Sequence, residues 1–207
     1  MQESKLKKIV FASRNRGKIK EIQALLAECG VTLQSLDDYP ELPDISEDGN
    51  SFLDNALKKA RTIAKLTGEI VLADDSGLEV AALDGAPGIH SARYAGDSAN
   101  DEKNILKLLS DLEGVPPAER EAAFRCILVI CQPDGHYHTF DGRWEGRIAE
   151  VPAGKGGFGY DPVFYLPEQG VTVAELPAGI KNRISHRAKA AEKLRVWLQK
   201  GTHENGA

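Results

Sequence analysis

Two adjacent carboxylates, Asp74 and Asp75, follow the apolar run Ile70-Val71-Leu72-Ala73 in a chain of 207 residues. A short branched apolar run bounded in this way predicts a buried strand that stops at the acid pair. Successive strand residues point to opposite faces, so the two carboxylates take different jobs: one faces a cleft and the other a structural partner. Only one of them is then placed to hold a metal or activate water. Ser76 and Gly77 are expected to turn the chain, glycine letting backbone amides approach a ligand. An acidic turn that simply caps a strand would carry the same letters. Asp44, Glu47 and Asp48 lie on the loop before the next predicted helix. Loop acids ordinarily face solvent; Glu47 gains a role if its loop packs against the Asp74-Asp75 strand end, where two carboxylates can share a hard cation.

The cations have their own pattern. Ser13-Arg14-Asn15-Arg16-Gly17-Lys18 separates a predicted strand over 9–12 from a helix marked by Ile19, Ile22, Leu25 and Leu26 and closed at Gly30. Amides that open a helix attract anions, and Lys18 in the first turn opposes the helix dipole by about 0.3 to 1 kcal/mol. A bound anion would remove that conflict, whereas a solvated lysine, or a Lys18–Glu21 pair, is the ordinary alternative. A last helix opens at Ser185 with His186 and Arg187 in its first turn, and Lys181 lies just upstream. Basic residues at two helix openings read as a distributed anion site. Between these stretches, residues 153–162 place four glycines around Lys155, Phe158, Tyr160 and Asp161. Aromatic interleaving suits stacking on a nucleobase, though Phe158 or Tyr160 can equally anchor the loop in the core. The loop matches neither the P-loop nor the dinucleotide-binding fingerprint.

The elements that must hold these residues alternate between strand and helix. A second strand is predicted over 31–35, and a helix opened by Ser51 with Asp54 in capping-box spacing and closed by Gly68. A further helix spans 99–112 and ends before Val115-Pro116-Pro117. Residues 121–131 and 136–149 form a hairpin around Gln132-Pro133-Asp134-Gly135. His136 and His138 fall on that hairpin, and no role is assigned to them. The length suits one domain with two lobes. A formal net charge of -5 argues against a general nucleic-acid binder, while a small phosphorylated ligand needs only local cations. With no leader and no bilayer-spanning run, the chain is expected in the cytoplasm, away from membranes. Cys29, Cys126 and Cys131 are read as buried small hydrophobes in a reducing compartment.

Taken in order, Ser13 to Lys18 with Glu21, Glu47-Asp48-Gly49-Asn50-Ser51-Phe52 with Asn55-Ala56, Ala73 to Leu78, Gly85-Ala86-Pro87-Gly88, Ser91-Ala92-Arg93-Tyr94, Gly157 to Pro162 and Ser185-His186-Arg187 resemble the inosine triphosphate pyrophosphatase family. The resemblance covers nearly the whole chain. It implies an α/β fold with an elongated, mixed, twisted sheet, helices packed on it and a long cleft between two lobes, usually as a homodimer. It also implies magnesium-dependent hydrolysis of ITP, dITP and XTP to the monophosphate and pyrophosphate by water attacking the α-phosphorus. Carried onto these positions, Ser13, Arg14, Asn15, Arg16, Gly17 and Lys18 would hold the triphosphate, and Glu47 with Asp75 the magnesium. Asp75 would be the proton acceptor and Ser76 a substrate contact. Phe158, Gly159, Tyr160, Asp161, Lys181, His186 and Arg187 would form the base and phosphate pocket. Arg14 stands where bacterial members often carry glycine, and adds an expected phosphate contact. Competing readings are a Maf-type pyrophosphatase acting on other nucleotides, a nucleotide sensor without turnover, and a structural scaffold.

Overall fold

The computed structural model describes residues 7–203. Its elements run β1 (Lys7–Phe11), α1 (Arg16–Leu26), β2 (Val31–Ser35), α2 (Phe52–Thr67), β3 (Val71–Val80), α3 (Asp101–Asp111), β4 (Glu121–Cys131), β5 (Tyr137–Ile148), β6 (Phe164–Leu166), β7 (Val171–Thr172), α4 (Ala178–Ile184) and α5 (His186–His203). The strands form one sheet in the order β2-β1-β3-β4-β5-β6-β7. β1 pairs parallel with β2 and β3, whereas β5 with β6 and β6 with β7 are antiparallel, so the sheet is mixed, as expected. Crossover helices explain the parallel half and short connections the antiparallel half.

The chain divides into two compact units. The first contains the described residues through Asp75, then Ile127–Asp141, then those from Arg187 onward; the second contains Ser76–Cys126 and Gly142–His186. In the first, the apolar stripe of α2 (Ala56, Ala60, Ile63, Ala64) packs with Val10, Val71, Ala73 and Val129. Small residues on that stripe let the helix lie close to the strands. In the second, Leu108 and Leu112 pack with Leu78, Val80, Phe124, Trp144 and Phe164.

β3 does not stop at the acid pair; it runs through Asp74, Asp75, Ser76 and Gly77 to Val80, so Ser76 and Gly77 do not turn the chain. Asp74 and Asp75 can sit buried within the strand because cations from other elements pair with them. α1 ends at Leu26, before Gly30, which instead takes a left-handed turn into β2. Cys126 and Cys131 are buried as expected, but Cys29 is only partly so. α3 starts at Asp101, two residues later than the periodicity placed it, because Asn100 caps it by accepting from the Lys103 amide at 2.8 Å. α4 was not anticipated: its seven residues carry too little periodicity, and it follows Pro177 without a side-chain cap. No helix among the described residues is long and apolar enough to cross a membrane.

Candidate functional site

In the first unit, the turn after β1 closes on its own side chains. The Asn15 amide donates to Ser13 Oγ at 3.1 Å, and Asn15 Oδ1 accepts from the Lys18 amide at 3.1 Å, making Asn15 the N-cap of α1. Arg16 and Gly17 form the first residues of the helix. Arg14 reaches to the connection after β2, donating to the carbonyls of Leu36 (2.7 Å) and Leu42 (3.2 Å) and lying 3.4 Å from Asp44. It thus clamps that connection in place.

Lys18 does not pair with Glu21. Its Nζ donates to Asp74 Oδ1 at 3.0 Å, while Arg187 takes the other Asp74 oxygen at 3.1 Å and also grips Glu21. Cations from the openings of α1 and α5 therefore converge on one buried strand carboxylate, which offsets their conflict with the two helix dipoles. Arg187 is only 1% exposed. Burial by itself would raise Asp74, but Lys18, Arg187 and Lys59 hold its carboxyl well below the usual carboxylate range.

Asp75, on the opposite face of β3, has different company. Its Oδ2 accepts from Asn55 Nδ2 at 3.0 Å, and Asn55 Oδ1 in turn accepts from the Gly49 amide at 2.8 Å. A Cβ at Gly49 would come within 2.7 Å of that Asn55 oxygen, so glycine is what lets the loop approach. Lys59, which the sequence reading missed, donates from Nζ to Glu47 Oε1 at 2.7 Å and to the Asp74 carbonyl at 2.5 Å, and lies 3.7 Å from Asp75 Oδ1. Glu47 and Asp75 thus meet around one ammonium group. Its signal was present: Phe52, Asn55, Ala56, Lys59, Ala60 and Ile63 follow helical spacing, which puts a lysine on the apolar face of α2. Burial lowers the Lys59 pKa, but Asp74, Asp75 and Glu47 together hold it above its ordinary value. Burial pushes Asp75 up, and that effect outweighs the opposing pull of Lys59 and Lys18. The neighbouring carboxylates are driven apart: Asp74 is firmly ionised and Asp75 holds a proton more readily.

Among the described residues, no three His, Cys, Asp or Glu side chains gather into a ready metal cage. Magnesium does not require one, since it is commonly held by one or two carboxylates and completed by waters and phosphate oxygens. Glu47 and Asp75 are hard oxygen donors of that kind.

In the second unit, Ser76 is half-buried on β3. The glycine-rich loop is organised by Asp161, which is 2% exposed and whose Oδ2 accepts from the Phe158 amide (2.9 Å) and from Lys181 Nζ (2.6 Å). A Cβ at Gly157 would fall 1.9 Å from the same oxygen, and Gly157 has φ of +74°, so no other residue fits there without displacement. Lys181 Nζ also lies 4.5 Å from the centre of the Phe158 ring. Tyr160 is buried, its hydroxyl donating to the Ser91 carbonyl at 2.8 Å; it is the anchor, and Phe158 stays partly open. The Gly159 amide donates to Asp101 Oδ2 at 2.7 Å. His186 stacks on Phe124 with ring centres 4.8 Å apart.

A mixed-sheet α/β protein with an acid pair set among lysines, and with an aromatic glycine loop fixed by a buried aspartate, is the class that fold and residues define. The chain belongs to the Ham1 family, whose model matches residues 9–197. It is 53% identical over 191 residues to a dITP/XTP pyrophosphatase of Geobacter sulfurreducens, covering 92% of this chain and 96% of that one. A dITP/XTP pyrophosphatase of Geobacillus kaustophilus is 52% identical over 91% of this chain and 93% of its own length. Among solved structures, a HAM1 protein from Coxiella burnetii superposes with a TM-score of 0.87 at 44% identity, covering 94% of this chain and all of that one.

Proposed function

We propose that this protein hydrolyses non-canonical purine nucleoside triphosphates, ITP, dITP and XTP, to the monophosphate and pyrophosphate by attack of water on the α-phosphorus. The observation that carries this reading is the separation of tasks within the acid pair: Asp74 is locked between Lys18 and Arg187, while Asp75 sits beside Glu47 and Lys59 with its proton affinity raised. A carboxylate beside the attacking water can accept its proton. Glu47 and Asp75 would hold magnesium, which when bound neutralises phosphate oxygens and lowers the charge barrier to attack. Asn55 fixes the orientation of Asp75, and Lys59 keeps Glu47 beside it.

In this reading residues 13–18 hold the triphosphate through Lys18, which Asp74 keeps in place, and through the amides of Arg16 and Gly17, which open α1. Phe158 supplies a face for the base, and Lys181 and Asp161 set its orientation. Ser76 and His186 complete the substrate contacts in this reading. A 6-keto purine offers an acceptor where adenine offers a donor, so a site built to donate disfavours ATP. Glu21 and Asp74 accept from Arg187 Nη1 and Nη2, and because a guanidinium carries five N–H donors, Arg187 in this reading donates to that keto group while still held by both carboxylates. We read the chain as one catalytic domain with two lobes, cytoplasmic and homodimeric; sedimentation of the purified protein tests the last of these.

Pyrophosphate release from ITP, XTP, GTP and dTTP with magnesium, with identification of the monophosphate, tests the assignment. Preference for ITP and XTP is expected. A clear preference for dTTP would shift the assignment to Maf-type chemistry, and tight binding without monophosphate would make the protein a sensor.

A further inference from the structure

Three of the ties that hold the 157–161 loop differ in kind. Two are buried: Tyr160 to the Ser91 carbonyl, and Asp161 to the Phe158 amide and Lys181. The third is at the surface, where the Gly159 amide donates to the Asp101 carboxylate at 2.7 Å across 58 residues of sequence. Gly159 sits between the aromatic that is anchored and the aromatic that stays partly open, its φ of +61° favours glycine, and its amide orients the loop when it is bonded to a partner fixed in space. Asp101 is such a partner, because it is the first residue of α3, and α3 is fixed by its Asn100 cap and by Leu108 in the core.

We propose that Asp101 is a positioning residue for the base-binding loop: its carboxylate holds Gly159 and thereby sets the angle at which the Phe158 ring meets the purine. This rests on the reading of Phe158 as the base platform. Asp101 contributes through a charge-assisted hydrogen bond to an amide, a kind stronger than a neutral one, and is remote from phosphate chemistry. Its loss therefore lowers affinity for the nucleotide and leaves the chemical step alone.

The test is steady-state ITP hydrolysis by the full chain carrying Asp101→Ala, Asp101→Asn or Phe158→Ala, beside the unaltered protein. Asp101→Ala should raise KM by about fivefold to tenfold, equivalent to about 1 to 1.4 kcal/mol of binding, with kcat within about twofold. Asp101→Asn keeps an acceptor oxygen at the same place and should raise KM by about twofold, since only the charge is lost. Hydrogen exchange at the Gly159 amide should accelerate in the alanine variant. An Asp101→Ala enzyme with unchanged KM, while Phe158→Ala raises it, overturns the role of Asp101 and leaves the base platform standing. An unchanged KM in Phe158→Ala overturns both. A fall in kcat with unchanged KM, or equal defects in the alanine and asparagine variants, also overturns the proposal.

Discussion

At the scale of single residues, the acid pair shows how two identical side chains acquire different chemistry. Asp74 accepts from a lysine and an arginine, and Asp75 accepts from an amide and lies near one lysine shared with Glu47. Asp75→Asn should reduce turnover of ITP by about a thousandfold or more while nucleotide binding changes little, as the general-base role proposed for Asp75 implies. Retained turnover in that variant, measured beside binding by calorimetry, would end the role assigned to Asp75. Lys59→Met makes a complementary test. It removes the cation around which Glu47 and Asp75 meet and so takes one compensating charge away from the pair. Magnesium chloride should then raise the melting temperature of Lys59→Met more than that of the unaltered protein, because the ion replaces what was lost. Equal shifts would count against Lys59 and the ion competing for the same two carboxylates.

At the scale of elements, loops owe their shape to specific close approaches. Gly157 lies so near Asp161 that any side chain there must push the carboxylate away from Lys181 and the Phe158 amide. Gly157→Ala should therefore raise KM for ITP by about tenfold or more, since it combines a left-handed backbone with a collision costing about 1 to 3 kcal/mol. An alanine enzyme with normal KM would show that the loop has no part in binding. The element boundaries follow the same logic. Periodicity located α2 and both strands of the β4–β5 hairpin well, because each buries an extended apolar pattern. It failed for β3 beyond Ala73, where the pattern is interrupted by charges whose partners lie in α1, α2 and α5.

At the scale of the whole chain, residues far apart in sequence close one buried network within the first unit. Arg187 meets Glu21 across 166 positions and Asp74 across 113, so the opening of the last helix is fastened to the first helix and to β3. Arg187→Met fills similar volume but leaves both carboxylates short of a cation in a buried setting. It should cost about 3 to 5 kcal/mol of stability in urea denaturation, a large part of what a domain possesses. A cost below about 1 kcal/mol would show that Lys18 and Lys59 suffice for Asp74 and that the network is not structural.

The sequence by itself determined the strand-helix alternation, the apolar faces and the family, because those rest on periodicity, caps and motif order along the chain. It also singled out Glu47, Asp75 and the glycine loop. Tertiary structure alone decided which charges meet. Lys18 turned to Asp74 and not to Glu21, Arg14 to the connection after β2, and Lys59 entered the site between Glu47 and Asp75. Local spacing cannot settle such choices, because a charged side chain reaches several partners nearby, and burial against distant elements decides which pairing is retained.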